Sequence, residues 1–240
     1  MTTTVAPDFN TDRTIDGAVR KPGQKLARPR DAATLLIVRQ DAEKPRVLMG
    51  RRAGGHDFMP GKWVFPGGRI DRSDFRAPYA TDLRPEVLAR LEKSTPQNRA
   101  RALALTAIRE TFEEVGLLLA KPAAPRPGAG PWREFLSHGA EPDLAALRFI
   151  AQAITPSYRP KRFNARFFMA SAEALVSLDR QPDCGELDEI AWVDLEDALA
   201  LDLPGITRFV IQELPHHLAD ASRPAPFTQF RNNSRHLTYL

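Results

Sequence analysis

The chain has 240 residues, of which 42% are hydrophobic and 27% are charged, and this composition suits one domain of generous size with a substantial core. No apolar run approaches the roughly 18 residues that span a bilayer. The one cysteine, Cys184, excludes an intrachain disulfide and indicates a reducing, cytoplasmic compartment. The net charge of +4 is spread along the chain, which disfavours a nucleic-acid partner and suits a small phosphorylated one.

Extended elements come first. Residues 1–27 are polar, lack the apolar stretch of a secretory signal and are predicted to form a mobile tail. Residues 32–38 are apolar and β-branched and predict a buried strand. Residues 47–49 predict a second strand, hairpin-paired with the first, and residues 63–65 predict a short third strand that runs into a glycine pair.

Helical patterns occupy the middle of the chain. Residues 85–93 begin with proline and predict a short helix, and residues 100–115 have the strongest helical pattern in the sequence. A Pro/Gly-rich loop, three strands and two helices are then predicted at residues 121–131, 147–154, 165–170, 190–193, 195–201 and 207–218. Because strands lie on both sides of the main helix, we expect an α/β (α+β) fold, with a mixed β-sheet sandwiched between helices in a single domain of residues 28–240.

The helix over residues 100–115 separates apolar from acidic residues. Its apolar stripe consists of Leu105, Ile108, Phe112 and Val115. Glu110, Glu113 and Glu114 have the spacing i, i+3, i+4 and share a face that points away from the core. A divalent cation would turn their mutual repulsion into attraction, and oxygen-only ligands suit Mg²⁺ or Mn²⁺.

A solvated acidic helix face is the competing interpretation, since glutamate-rich helix surfaces are common. Two features favour a binding site. The helical pattern stops at Gly116, a typical helix terminator. The glycine pair Gly67–Gly68 directly follows a strand and lets backbone groups approach an ion or a phosphate closely.

These residues resemble the signature of the Nudix hydrolase family. That signature has a glycine, an acidic residue six positions later and then Arg-Glu-x-x-Glu-Glu-x-Gly, which here stand as Gly68, Asp74 and residues 109–116. The chain departs from it in having Asp rather than Glu at position 74, and Thr111 where the family is usually apolar. Between the acid and the arginine lie 34 residues, 75–108, where the family normally has seven. A connection of this length can carry Asp74 away from the helix, which leaves its role open.

The insertion, together with the stretch from Val64 to Gly68, resembles a branch of the family that includes peroxisomal coenzyme A diphosphatases and bacterial relatives. The resemblance implies a Nudix fold in which residues 75–108 form a lid, a homodimer contact or a passive surface excursion. It also implies metal binding by Glu110, Glu113, Glu114 and the Gly67 backbone carbonyl. Arg109 is then expected to orient the carboxylates by ion pairing.

The resemblance leaves the general base open. Glu110 is one option, and an acid just before the strand at residues 190–193 is another, with Glu186, Asp188 and Glu189 available there. Arg52, Arg162 and Arg166 are expected to bind substrate phosphates, because arginine forks match phosphate oxygens.

The implied reaction is metal-dependent hydrolysis of a diphosphate bond in a nucleoside diphosphate derivative. Coenzyme A or an acyl-CoA is the first substrate class, and nucleotide sugars, dinucleotides or nucleoside triphosphates are the alternatives. A non-catalytic Nudix-fold module that binds a nucleotide as a regulator is the competing class of function. The complete set of three glutamates argues against that module, because a pure binder does not need all three.

Overall fold

The computed structural model describes residues 19–21, 23–55, 59–180, 187–231 and 234–240. Most of the predicted tail, Cys184 and Glu186 lie outside these residues. The strands are β1 Arg30–Arg39, β2 Arg46–Arg52, β3 Trp63–Val64, β4 Gly67–Arg69, β5 Ala120–Pro122, β6 Ala140–Pro142, β7 Arg148–Ile154, β8 Phe163–Ser171, β9 Leu187–Asp194, β10 Pro226–Arg231 and β11 Ser234–Tyr239. The α-helices are α1 Pro85–Glu92, α2 Gln97–Val115, α3 Trp132–Ser137, α4 Leu195–Ala198 and α5 Gly205–Ala219.

A mixed sheet organises the fold. Over the described ranges it has nine strands, in the order β11-β10-β7-β8-β1-β2-β3, with β4 added beside β1 and β9 beside β2. The β1–β8 and β10–β7 pairs are parallel and the other pairs in this sheet are antiparallel, including the predicted β1–β2 hairpin. Strand β1 lies in the interior and contacts β8 along its length, β4 near its start and β2 at its end.

Helices cover both faces of the sheet. One buried apolar cluster joins the sheet to α1, α2 and α3, and a second joins the opposite face to α4 and α5. The predicted sandwich of a mixed sheet between helices is therefore confirmed. Among the described residues, no helix combines the length and the apolarity that a membrane crossing requires.

Helix α2 forms as its apolar periodicity predicts. Leu105, Ile108, Phe112 and Val115 are each no more than 2% exposed. The helix ends at Gly116, which adopts a left-handed φ of 75° and donates its backbone N–H to the Phe112 carbonyl.

Helix α3 and the strands β4, β5, β6, β10 and β11 were not predicted. The predicted loop at residues 121–131 is correct except at its start, where β5 pairs with β6 in a separate two-stranded sheet. The polar, half-exposed pattern of β11 explains why periodicity gave no signal there.

The insertion is part of the folded domain. Residues 75–108 contain α1 and the first twelve residues of α2, so α2 begins well before the signature residues. Two contacts hold this connection. Ala80 N–H donates to the Pro142 carbonyl on β6, and Asp82 forms an ion pair with Arg101 on α2. The chain thus returns along α2 towards the point where the insertion began.

Candidate functional site

The acidic end of α2 lies directly against the glycine turn. Glu114 is only 3% exposed, and its Oε2 accepts a hydrogen bond from the Gly67 backbone N–H at 3.0 Å. A Cβ placed on Gly68 would lie 2.3 Å from Glu110 Oε2, far inside contact distance. Position 68 therefore tolerates no side chain while Glu110 stays in place, which gives a physical reason for glycine there.

Arg109 organises the carboxylates around it. Its Nη1 donates to Glu110 Oε1 and to Glu113 Oε2, each at 2.8 Å, and its Nη2 donates to the Arg69 carbonyl at 3.0 Å. Burial acts to lower the pKa of Arg109, but its bonds and ion pairs with Asp74, Glu110 and Glu113 outweigh burial, so the pKa lies above its ordinary value. Arg109 thus stays charged and orients two of the three signature glutamates.

Asp74 remains at the helix despite the insertion, so the concern that the long connection carries it away is wrong. Its carboxylate is 0% exposed and accepts from Arg109 Nε at 2.8 Å and Arg109 Nη2 at 3.0 Å. Thr106 Oγ1 at 2.8 Å, Trp132 Nε1 at 2.9 Å and the Asp71 backbone N–H at 2.8 Å also donate to it. Thr106 and Arg109 are one turn apart on α2, so both face Asp74 when the chain folds back.

The three signature glutamates differ in exposure. Glu114 is buried and the Glu110 side chain is only 16% exposed, while that of Glu113 is 35% exposed. Burial raises the pKa of Glu110 to about 6, although Arg109 opposes the shift. A solvated acidic face, the competing interpretation, does not describe these residues.

The donor chemistry of the site fits a hard divalent cation. Glu110, Glu113, Glu114 and the Gly67 backbone offer oxygen atoms alone. Among the described residues, however, no three acidic or imidazole groups are arranged as a ready ion cage. The reason is visible in the contacts, since Glu110 and Glu113 both face Arg109 while Glu114 faces the Gly67 N–H. Glu110 and Glu113 share Arg109 as a partner, so their carboxylates already lie close together, an arrangement that suits binding of a divalent cation.

Two arginines expected to bind phosphate lie elsewhere and bond to other groups of the fold. Arg166, on β8, is 1% exposed, and its Nη1 donates to Asp31 Oδ1 at 2.6 Å. Arg162 donates to the backbone carbonyls of Thr155 and Ala27 at 3.0 and 2.9 Å. These contacts favour a structural role for both arginines.

Arg52 and Glu189 lie on neighbouring strands. Arg52 is half-buried at the end of β2, and its backbone bonds to Lys62 and Gly61 hold the turn between β2 and β3. Glu189, on β9, pairs with Arg51 at 3.2 Å, with both side chains about half exposed. The structure therefore groups Glu110, Glu113, Glu114, Arg109 and Gly67 from the predicted set, whereas the bonds described for Arg162, Arg166 and Glu189 join them to other parts of the fold.

Two residues at the site were missed in the sequence. Thr106 had a usable signal, because it precedes Arg109 by one helical turn on the same face. Trp132 had none, since it lies at the end of a Pro/Gly-rich stretch and meets Asp74 across 58 positions of sequence. Thr111 is also explained, since it is 0% exposed and its hydroxyl donates to the Ala107 carbonyl, which allows a polar residue at a usually apolar position.

Known proteins are partly similar to this chain. No family model matches the chain. The chain is 26% identical to acyl-coenzyme A diphosphatase NUDT19 of Gallus gallus over 230 residues, which covers 70% of this chain and 57% of the relative. It is also 26% identical to the Homo sapiens protein of the same name over 209 residues, covering 65% and 55% of the two chains. The chain thus spans less than two thirds of the length of these relatives.

A solved structure gives the same result for the fold. The crystal structure of a Nudix hydrolase from Alicyclobacillus acidocaldarius superposes with a TM-score of 0.61 at 29% identity, covering 78% of this chain and 91% of the other. The fold is the Nudix fold, and the signature residues meet at the glycine turn within it. The chain is therefore similar to Nudix hydrolases in its fold and in its signature residues.

Proposed function

We propose that this chain hydrolyses a diphosphate bond in a nucleoside diphosphate derivative with the help of a divalent metal ion, Mg²⁺ or Mn²⁺. One observation carries the proposal. The glutamate-rich end of α2 packs against the Gly67–Gly68 turn, through the Glu114–Gly67 hydrogen bond and the Glu110–Gly68 contact. A buried arginine keeps the other carboxylates in place. A module that only binds a nucleotide has no need of this arrangement.

Each signature residue has a distinct part in the proposal. Glu113, Glu114 and the Gly67 carbonyl would hold the metal ion together with Glu110, and Arg109 fixes the orientation of Glu110 and Glu113. When bound, the ion lowers the pKa of a coordinated water and neutralises charge that develops on the diphosphate. Hydrolysis joins a water oxygen to one phosphorus, breaks the bridging P–O bond and releases two phosphate esters.

Glu110 is the better-placed acceptor for the proton of the attacking water. Its Oε1 is engaged by Arg109, whereas its Oε2 faces Gly68, where no side chain intervenes. Glu189, the competing base, is half exposed and paired with Arg51. We therefore assign the proton to Glu110 Oε2, because a base acts on a water that the metal site itself holds.

Coenzyme A or an acyl-CoA is the substrate class we put first. The support is the similarity to two proteins named acyl-coenzyme A diphosphatase, at 26% identity each. The insertion between Asp74 and the helix also resembles that branch of the family. For coenzyme A, cleavage of the diphosphate yields 3′,5′-ADP and 4′-phosphopantetheine.

A substrate panel with product masses tests both levels of the proposal. The full chain is incubated with coenzyme A, an acyl-CoA, a nucleotide sugar, a dinucleotide and a nucleoside triphosphate, each with Mg²⁺ and with Mn²⁺. Release of 3′,5′-ADP with 4′-phosphopantetheine supports the coenzyme A assignment. Turnover of another member alone removes that assignment but keeps the hydrolase. If no compound turns over with either ion, the catalytic proposal fails and the regulatory module takes its place.

The variant Glu114→Gln ties activity to the site. Loss of one carboxylate ligand is expected to lower kcat/KM by more than about a hundredfold while the fold persists. Glu92→Gln, an exposed glutamate on α1, is the matched control and should keep wild-type rates. Wild-type turnover in Glu114→Gln, with its far-UV circular dichroism unchanged, contradicts the site assignment.

A further inference from the structure

A cavity opens away from the glycine turn, at the carboxyl ends of β1 and β8. Its volume is about 280 Å³, and its wall includes Val38 on β1, Gln40 just after β1 and Met169 to Ser171 on β8. Gly67 pairs with Thr34, four residues before Val38 along β1, which places the two regions roughly 13 Å apart at about 3.3 Å per residue. This cavity therefore lies outside the carboxylate site.

The charge of the cavity wall has one sign. Arg84 and Arg148 are its charged lining residues, no carboxylate lines it, and Gln40 and Ser171 supply polar groups. The rest of the wall is apolar, with Met169 among its members. Such a lining combines cationic donors with a small apolar surface, which is the usual composition of a small-molecule anion site.

Both arginines keep donors that the described residues do not use. Arg84 Nη2 donates to the Leu147 carbonyl at 3.2 Å, but its buried Nε has no partner in the described part of the chain. Arg148 Nη2 donates to the carbonyls of His217 and Asp220 at 2.7 and 3.3 Å, and within the same ranges its Nε and Nη1 make no hydrogen bond. A ligand with oxygen atoms in the cavity would meet these donors.

Nearby carboxylates balance the positive charges of Arg84 and Arg148 only in part. Burial first, and then the charges of Arg84 and Arg90, lower the pKa of Arg148, so the local potential is positive. Glu86 approaches Arg84 Nη1 only to 3.4 Å from an exposed position, and the Asp220 carboxylate is engaged by Ser222.

Capping of α5 explains one part of this arrangement. The Arg148 bonds to the carbonyls at the end of α5 satisfy a helix C-terminus. Capping accounts for Nη2 of Arg148 and for nothing on Arg84. Capping also gives no reason why the cavity wall beside Arg84 and Arg148 should lack acidic residues.

We propose that this cavity binds a small phosphate monoester, with the phosphate between Arg84 and Arg148 and a compact apolar group against Met169. Two guanidinium groups match a dianion better than a carboxylate, and their planar forks suit phosphate oxygens. The proposal does not depend on hydrolysis at the glycine turn. It describes a separate ligand site at the far end of β1.

Phenyl phosphate is a suitable probe, with inorganic phosphate and benzoate as comparison ligands. Calorimetric titration of the full chain is done with EDTA present and at constant ionic strength, so that neither a metal at the carboxylate site nor screening contributes. Saturable binding of phenyl phosphate is expected, tighter than that of benzoate. Arg84→Met should weaken it by about tenfold or more, which corresponds to the loss of a charge-assisted bond pair.

Matched variants separate this site from its neighbours. Arg90→Met removes an arginine of the same region that does not line the cavity and should leave the affinity within about twofold. Glu114→Gln should leave it unchanged. Arg148→Met should weaken binding too, but it also loses bonds to α5, so Arg84→Met is the deciding variant.

Several results overturn the proposal. They are the absence of saturable binding, an affinity that Arg84→Met does not alter, and equal weakening by Arg90→Met, which indicates only a diffuse positive field. Benzoate bound as tightly as phenyl phosphate refutes the choice of a phosphate ester. A loss of binding in Glu114→Gln assigns the probe to the carboxylate site instead.

Discussion

Two aspartate–arginine pairs connect the insertion region to α2 with nearly the same geometry and very different surroundings. Arg109 donates Nε and Nη2 to the two oxygens of Asp74 at 2.8 and 3.0 Å. Arg101, two turns earlier on the helix, donates the same two atoms to Asp82 at 2.8 and 2.6 Å. The Asp74 and Arg109 side chains are 0% and 4% exposed, whereas those of Asp82 and Arg101 are 42% and 25% exposed.

Burial, and not bond geometry, decides what each pair does. The Arg101 bond lowers the pKa of Asp82, but water reaches both groups, so such a pair contributes about 1 kcal/mol or less. Asp74 and Arg109 have no water to replace a lost partner, so removal of one leaves the other charge buried and less well compensated. Only the buried pair can therefore hold the carboxylate site in one arrangement.

Removal of the two aspartates is the strongest way to break this comparison. Asp74→Ala should lower the free energy of unfolding by about 3–5 kcal/mol, because the Arg109 charge stays buried without its main partner. Asp82→Ala should cost less than about 1 kcal/mol. Urea unfolding of both variants measures the difference. Similar losses in the two variants would mean that the depth of Asp74 has no energetic consequence.

His217 extends the comparison to a buried titratable group surrounded by positive charge. It is 1% exposed on α5, and its pKa falls to about 4 because of burial first and then the charges of Arg223, Arg148 and Arg90. The neutral form is favoured in the folded chain, so the stability is fully present above the ordinary pKa of about 6.5. It is lost as the pH falls from there towards 4, by up to about 3 kcal/mol.

The adjacent histidine offers a control for this pH dependence. His217→Gln should flatten the fall in unfolding free energy between pH 7.5 and pH 4.5, as measured by urea titration at each pH. His216→Gln, at an exposed position on the same helix, should leave the slope unchanged. An unaltered slope in His217→Gln means that other groups cause the acid sensitivity.

Trp132 tests whether the donors around Asp74 position the site or merely fill space. Trp132→Phe removes the Nε1 donor to Asp74 but keeps an aromatic ring against Phe135, whose centroid lies 5.2 Å away. We expect a loss of roughly 2 kcal/mol in stability and a fall in kcat, because Asp74 then holds Arg109 less firmly. Phe135→Leu disturbs the same packing without touching Asp74, and it should reduce stability while kcat is kept. Equal effects of both variants on kcat contradict a positioning role.

The chemistry of α2 could be predicted from the sequence because it depends on local spacing. The interval between Glu110 and Glu114 places them on one face of a helix, and the apolar stripe fixes which face is buried. The glycine turn could also be recognised from its composition. These features need no knowledge of the distant chain.

The support around that helix could not be predicted in the same way. Whether Asp74 contacts Arg109 depends on the path that residues 75–108 take back to α2. That path cannot be read from the sequence of an insertion. Trp132 reaches Asp74 through α3, a six-residue helix with no strong pattern. Whether Arg166 faces solvent or Asp31 is likewise decided by the β1–β8 register, which no local signal gives.

The smallest effect is expected at Glu189, the acid that the sequence offered as an alternative base. Its pair with Arg51 has the solvent access of the Asp82 pair rather than the depth of the Asp74 pair, since the side chains of Arg51 and Glu189 are 47% and 52% exposed. Glu189→Gln should therefore change the unfolding free energy by less than about 0.5 kcal/mol. Because we assign the proton to Glu110, kcat should stay within about threefold of wild type, whereas loss of a general base costs roughly a hundredfold or more. A large fall in kcat, with an altered pH–rate profile and unchanged stability, moves the base to Glu189 and shows that an exposed acid on β9 reaches the bound substrate.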